Sequence, residues 1–358
     1  MMRHTFIALL AATGIAAPAF AQTHQARSAT GVQPSPRVVV ESQRKVEREQ
    51  VRPQRDNRIE ETERVNHTFK IGGSGELRVS NLVGDITITR GGGNEVRIEA
   101  IKTARARTAE QAREMLPAVR IEFAERSGRA EVKTHYPSEH FDRSNHRNVS
   151  VAVAYSITAP QETRISVSTF TGNIRVTGVK GELSLVSLSG DVRVFEGARI
   201  AKATSTSGNV EIRDLQSDVR LDASSTSGNI TVAQSRAPRM ELGTISGSVT
   251  IDNVQAEQIE AQSLSGDVNV AFPFARNGRY EINSHSGDVR ITVMNDTGFE
   301  LDANTFSGNV RSAVTLVDSG VKDASTRARQ RRLRGRFGDG SALLDVTTFS
   351  GNVIIEKK

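Results

Sequence analysis

The feature that most limits what this chain can fold into is a four-residue motif, [Ser/Thr]-Gly-[Asp/Asn/Ser]-[Val/Ile]. Its glycines fall at Gly172, Gly190, Gly208, Gly228, Gly247, Gly266, Gly287, Gly308 and Gly351. The separations are 18, 18, 20, 19, 19, 21, 21 and 43 residues, and because the last is twice the rest, one copy is expected to be lost or interrupted there. Val83-Gly84-Asp85-Ile86 is an earlier relative that lacks the hydroxyl residue.

After each motif the residues alternate, as in Val192-Arg193-Val194, Val210-Glu211-Ile212 and Ile230-Thr231-Val232. Period two with β-branched residues on one face is the pattern of a strand against a core. The preceding Gly and Asp/Asn suit a corner, where glycine tolerates unusual backbone angles and a short polar side chain bonds nearby main chain. A unit of about 20 residues with one apolar face cannot enclose a core alone, so neighbours must stack. The expected fold is all-β: a β-solenoid of about 20-residue coils with two or three strands each. Hairpins of an antiparallel β-sandwich are the alternative, but they give no reason for one corner chemistry to recur. The residue two before each glycine is Phe170, Leu188, Thr206, Thr226, Ile245, Leu264, His285, Phe306 or Phe349. Stacked coils would align these into a ladder of packed, structural residues.

Residues 1–21 read as a signal peptide, with Arg3, an apolar stretch over 6–17 and the small-x-small site Ala19-Phe20-Ala21. The expectation is export to the periplasm, the cell surface or the medium. The apolar stretch is too short to span a membrane and no later one is longer, so no transmembrane segment is expected. The absence of cysteine excludes disulfides, thiol catalysis and a lipidated Cys anchor. Residues 22–66 are rich in Arg, Glu and Gln and lack aromatics, the composition of a disordered charged tether, with a short helix expected near 42–50. Residues 67–160 read as an irregular β region that caps the solenoid. Its single helix is expected at 108–116, where Thr108 and Gln111 have capping-box spacing and Pro117 follows. Residues 161–358 hold the regular repeats, with an Arg-rich insertion at about 319–338, and Glu356-Lys357-Lys358 is expected at the exposed end of the last coil.

Four groups are candidate sites. Asp191, Asp267 and Asp288 at the turn position could share a hard cation, although turn capping is the stronger reading. His135, His140 and His146, with Glu139 and Asp142, form the one His-rich stretch, but gaps of five and six residues fit no metal signature. His285, between Ser284 and Ser286, suggests a nucleophile and base, yet the other coils repeat the hydroxyls without the imidazole. Arg327, Arg329, Arg331, Arg332, Arg334 and Arg336 form an acid-free run that could bind phosphates or carboxylates of lipopolysaccharide, acidic glycans or nucleic acid, although a solvated or processing-sensitive surface loop is the stronger reading. No catalytic residue, cofactor or metal is assigned.

The strand-turn-strand runs ending in SGDV, SGNV or TGNI, the short helix, the leader and the final TTFSGNVIIEKK resemble the bacterial putative-adhesin family of uncharacterised β-strand-repeat proteins over about 67–358. The resemblance implies an envelope-exposed β-helical module and brings no catalytic residue. A β-helical polysaccharide-active enzyme would need clustered acids and aromatic sugar platforms, whereas aromatics are 4% here, Trp is absent and Tyr numbers three. An envelope-stress sensing or regulatory protein is the other alternative. A formal net charge of +6 is mild and mixed in sign along the chain, so the expected partner is an envelope or surface polymer or protein, not nucleic acid.

Overall fold

A computed structural model of the chain describes residues 58–137, 149–294, 296–317 and 331–358. The leader, the tether up to residue 57 and its expected helix, Glu139, His140, Asp142 and His146, and Arg327 and Arg329 lie outside the described residues. The described chain is a β-solenoid of two sheets, each of 13 strands among the described residues. Each regular coil contributes a short strand to sheet A, such as Val192–Phe195, and a longer one to sheet B, such as Glu182–Ser189. Equivalent strands pair in parallel and in register from coil to coil: Val192 lies beside Val210, Val210 beside Ile230, and Ile230 beside Val249.

The alternation dictates the core. In the strand Val210–Arg213, Val210 and Ile212 point inward and are fully buried, while Arg213 is exposed. From sheet B, Leu183, Leu185 and their counterparts meet them, and one continuous apolar cluster runs from Phe69 to Ile355. Burying each such side chain contributes about 1.5–3 kcal/mol, and stacking extends the gain coil by coil.

The motif forms the corner from sheet B to sheet A, and each of its positions has a separate task. The hydroxyl three residues before the glycine points inward and donates to the carbonyl of the preceding coil's glycine: Ser205 to Gly190 at 2.8 Å, Ser225 to Gly208 at 2.9 Å, Thr244 to Gly228 at 2.9 Å. The glycine lies so close to that same carbonyl that a Cβ on Gly228 would press into the oxygen of Gly208. Glycine is therefore demanded chiefly by close stacking. The next residue accepts the backbone N–H of its successor one coil on. This ladder runs from Asp85 through Asn173, Asp191, Asn209 and Asn229 to Ser248, with bonds of 2.8–2.9 Å. The second corner places Glu196, Asp214, Gln234 and Asn253 at φ of 48–56°, a left-handed conformation that among non-glycine residues Asp and Asn tolerate best.

One expectation changes at the N-terminal end, and the helix is found as expected. Strand Ile59–Phe69 begins inside the stretch expected as tether, because it pairs antiparallel with Val96–Ala106 along its full length and buries Phe69. Pairing, not composition, orders those residues. Helix Ala109–Met115 is capped by the Thr108 hydroxyl, which accepts from the Gln111 N–H at 3.3 Å, and it covers Ala104 and Ala106.

The 43-residue gap does not mark a missing coil. The coil made of Ala342–Ser350 and Val353–Lys357 is inserted between the coil of Arg279–Ser286 and Val289–Val293 and the coil of Phe299–Ser307 and Val310–Ser312. Spatial order is thus Gly287, Gly351, Gly308, and the expected seat of Glu356-Lys357-Lys358 at the far end is corrected. Within the expected insertion, Arg332–Phe337 is a strand that pairs antiparallel with Phe299–Ser307 at the edge of sheet B.

Candidate functional site

The outer face of sheet B carries four longitudinal columns, fixed by the register. Nearest the motif corner lies the ladder, in spatial order Leu82, Phe170, Leu188, Thr206, Thr226, Ile245, Leu264, His285, Phe349, Phe306. It is not packed inside. Leu82, Phe170, Leu188, Ile245, Leu264, Phe306 and Phe349 are 40–64% exposed. The inward-facing hydroxyl of each coil forces this: once Ser187 points in to bond Gly172, Leu188 must point out. Parity counted from Leu183 and Leu185 is the signal in the sequence that reveals it. At one end His285, Phe349 and Phe306 stack with ring centroids 4.9 and 4.8 Å apart and planes within 7°. Ten rungs at about 4.8 Å make a ladder roughly 43 Å long, apolar from Leu82 to Leu188 and from Ile245 onward, with Thr206 and Thr226 between the two runs.

Beside the ladder runs an uncharged column containing Thr204, Ser224, Gly243, Gln262, Asn283, Thr347 and Asn304, and between the two lies an open groove of about 760 Å³. Nothing stands within 4 Å of where a Gly243 Cβ would sit, so the groove is open there. The third column stacks six carboxylates, Asp222, Glu241, Glu260, Glu281, Asp345 and Asp302. The fourth places Arg239, Gln258 and Arg279 alongside them. A solenoid that repeats every coil converts one sequence position into one chemical stripe.

A family model, Toastrack DUF4097, matches residues 75–356, which is the stacked-coil region. The chain belongs to the Toastrack DUF4097 family. No curated protein matches it. Among solved structures it is similar to a putative cell adhesion protein from Clostridium sporogenes, with 13% identity, TM-score 0.24, and coverage of 84% of this chain and 100% of that one. It is also similar to a putative adhesin from Bacteroides fragilis, with 12% identity, TM-score 0.39, and coverage of 82% and 97%. A putative lipid binding protein from Parabacteroides distasonis gives 14% identity, TM-score 0.37, and coverage of 82% and 96%.

In this Toastrack chain the carboxylate column is held by ion pairs. Arg239 bridges Glu241 at 2.7 Å and Glu260 at 3.8 Å, and Arg220 reaches Glu241 at 3.3 Å. Burial pushes the carboxyls of Asp222 and Asp345 up, and neighbouring acids add to it: Glu241 for the first, Asp302 and Glu281 for the second. The Arg334 fork on Asp302, joined by Arg332, holds that carboxyl down at about 2 against the effect of its own partial burial.

Part of the arginine run lies at the same edge. Arg332 and Arg334 lie on the edge strand with their guanidiniums on Asp302, at 3.1 and 2.6 Å. Arg336 lines a cleft of about 880 Å³ with Arg334, Arg279 and Glu300. Arg332 and Arg334 are therefore strand residues engaged with an acid, where the run alone read as a solvated surface loop with anion binding as the second reading. Asp191 accepts the N–H of Asn209, Asp288 that of Asn352 and Asp267 that of Asp288, which commits the Oδ1 of each to the corner ladder. His135 pairs with Glu122 at 2.8 Å across a hairpin. His285 faces outward against Phe349, turned away from the buried Ser284 hydroxyl, which bonds Gly266.

Proposed function

We propose that this chain is a non-catalytic module of the cell envelope, adhesin-like, that binds a surface polymer or protein along the outer face of sheet B. The observation that carries the reading is the exposed ladder with its uncharged groove. Two exposed apolar runs on one face, Leu82 to Leu188 and Ile245 to Phe306, are costly to leave in water and mark contact surfaces. The stripe and the amide-hydroxyl column match a ligand that is itself extended and repetitive, with apolar faces and hydrogen-bonding groups in alternation. Placement in the envelope rests on the leader read from residues 1–21, and among the described residues no helix is long and apolar enough to cross a membrane.

Binding of the purified chain to whole cells, lipopolysaccharide and neutral and acidic glycans tests the proposal, with Phe306→Ser and Phe349→Ser as variants. Each Phe removed from an apolar contact should weaken binding about tenfold, near 1.5 kcal/mol, without lowering the melting temperature. Wild-type binding by both variants would sink it. Repeating the binding at two salt concentrations separates an anion-dependent contribution from the ladder, since only the former is salt-sensitive. Normal binding with altered stress-gene expression on deletion would favour the sensing alternative.

A further inference from the structure

We propose that the coil Ala342–Lys357 is an exchangeable element, and that its slot between the Gly287 and Gly308 coils also receives the same coil from a second copy of this chain. The proposal is independent of what sheet B binds.

The slot is defined on both sides by motif contacts. Toward the Gly287 coil, the Thr348 hydroxyl donates to the Gly287 carbonyl at 3.2 Å, the Asn352 N–H to Asp288 Oδ1 at 2.7 Å, and the Gly287 N–H to the Ser350 carbonyl at 3.0 Å. Toward the Gly308 coil, Thr305 donates to the Gly351 carbonyl at 2.9 Å, and the N–H of Asn309 donates to Asn352 Oδ1 at 3.2 Å. The hydroxyl-to-carbonyl contact recurs in the coils of Gly190 through Gly287, so a second chain carrying the motif in this register can satisfy it. The two coils concerned are also nearly the same text, Asp302-Ala-Asn-Thr-Phe-Ser-Gly-Asn-Val310 and Asp345-Val-Thr-Thr-Phe-Ser-Gly-Asn-Val353.

Topology supplies the reason to exchange. After Val310–Ser312 the chain passes to the outer edge, forms Arg332–Phe337 against Phe299–Ser307, then returns to the other side of that strand as Ala342–Ser350. Residues 332–357 thus clasp the Gly308 coil from both sides. A clasp that follows its slot in sequence has to enter between two strands that would otherwise pair directly. During folding, an open slot meets the clasp of its own chain or that of a neighbour with identical contacts, the situation that produces domain swapping. Reciprocal donation closes a two-fold dimer, and one-way donation continues as a chain of copies.

Ser286 and Ser350 are exposed register partners across the slot, and the chain has no cysteine of its own. Strand neighbours about 4.8 Å apart lie within disulfide range. Full-length Ser286→Cys and Ser350→Cys chains are mixed, warmed below the melting transition, cooled and oxidised. The expected result is a covalent heterodimer in this mixture that is lost when Thr226→Cys, several coils away, replaces Ser286→Cys. Equal yields from both mixtures would be random collision and would overturn the proposal, as would no heterodimer from either. A chain carrying both Ser286→Cys and Ser350→Cys must link internally without mixing, and failure to do so would overturn the slot itself.

Discussion

At the scale of single residues, the corner glycines separate two reasons for glycine. Gly228→Ala would drive a methyl into the Gly208 carbonyl, and we expect a loss of about 1–3 kcal/mol of stability. Gly243→Ala, on the open outer face, should cost nothing measurable. Urea midpoints at constant slope compare the two, and equal losses would refute the close-stacking account. Ser225→Ala removes one hydroxyl bond to Gly208 and should cost about 1 kcal/mol in the same assay. The tyrosines give a pH test. Burial raises Tyr136 and Tyr155 to about 12, against the hydrogen bonds that favour their phenolates, and raises Tyr280 as well. A folded value above the unfolded one means the stabilisation is complete below about pH 10 and is lost as pH climbs toward 12. Phenolate absorbance in the native protein should therefore lag that of free tyrosine, and unfolding should release it in one step.

At the scale of the element, a coil is stable only through its neighbours. Val210 and Ile230 are adjacent rungs of sheet A with no exposed surface. Val210→Asp or Ile230→Asp places an unpaired charge between stacked coils, and a loss above about 4 kcal/mol is expected, with several coils melting together. An unchanged melting profile would count against stacking. Strand character was legible from alternation, and the Thr108 cap from its spacing. The strand Arg332–Phe337 was not, because a run of arginines without strong apolar alternation reads as loop until an edge strand and Asp302 are placed beside it.

At the scale of the whole molecule, a stack with nearest-neighbour contacts should open from its ends. Amides of Val310–Ser312, in the last coil of the series, are expected to exchange with deuterium before those of Val249–Asp252, which has a neighbour on each side. Uniform protection would mean a single cooperative unit. The four columns of sheet B are a property of this scale too. No segment of the sequence contains a stripe, and each stripe exists because register carries one position of every coil into line.

The sequence by itself determined the repeat, the strand alternation, the corner chemistry and, through parity, the outward direction of the ladder, since these follow from spacing within one coil. Coil order was decided only in three dimensions. The motif around Gly351 meets Gly287 and Asp288, yet the motif around Gly308 carries the same threonine, glycine and asparagine and would offer them the same groups, so local chemistry does not choose between them. The choice falls to the path of the chain through Arg332–Phe337 and to the aromatic packing of Phe299 against Phe274 and Phe337, contacts between residues far apart in sequence.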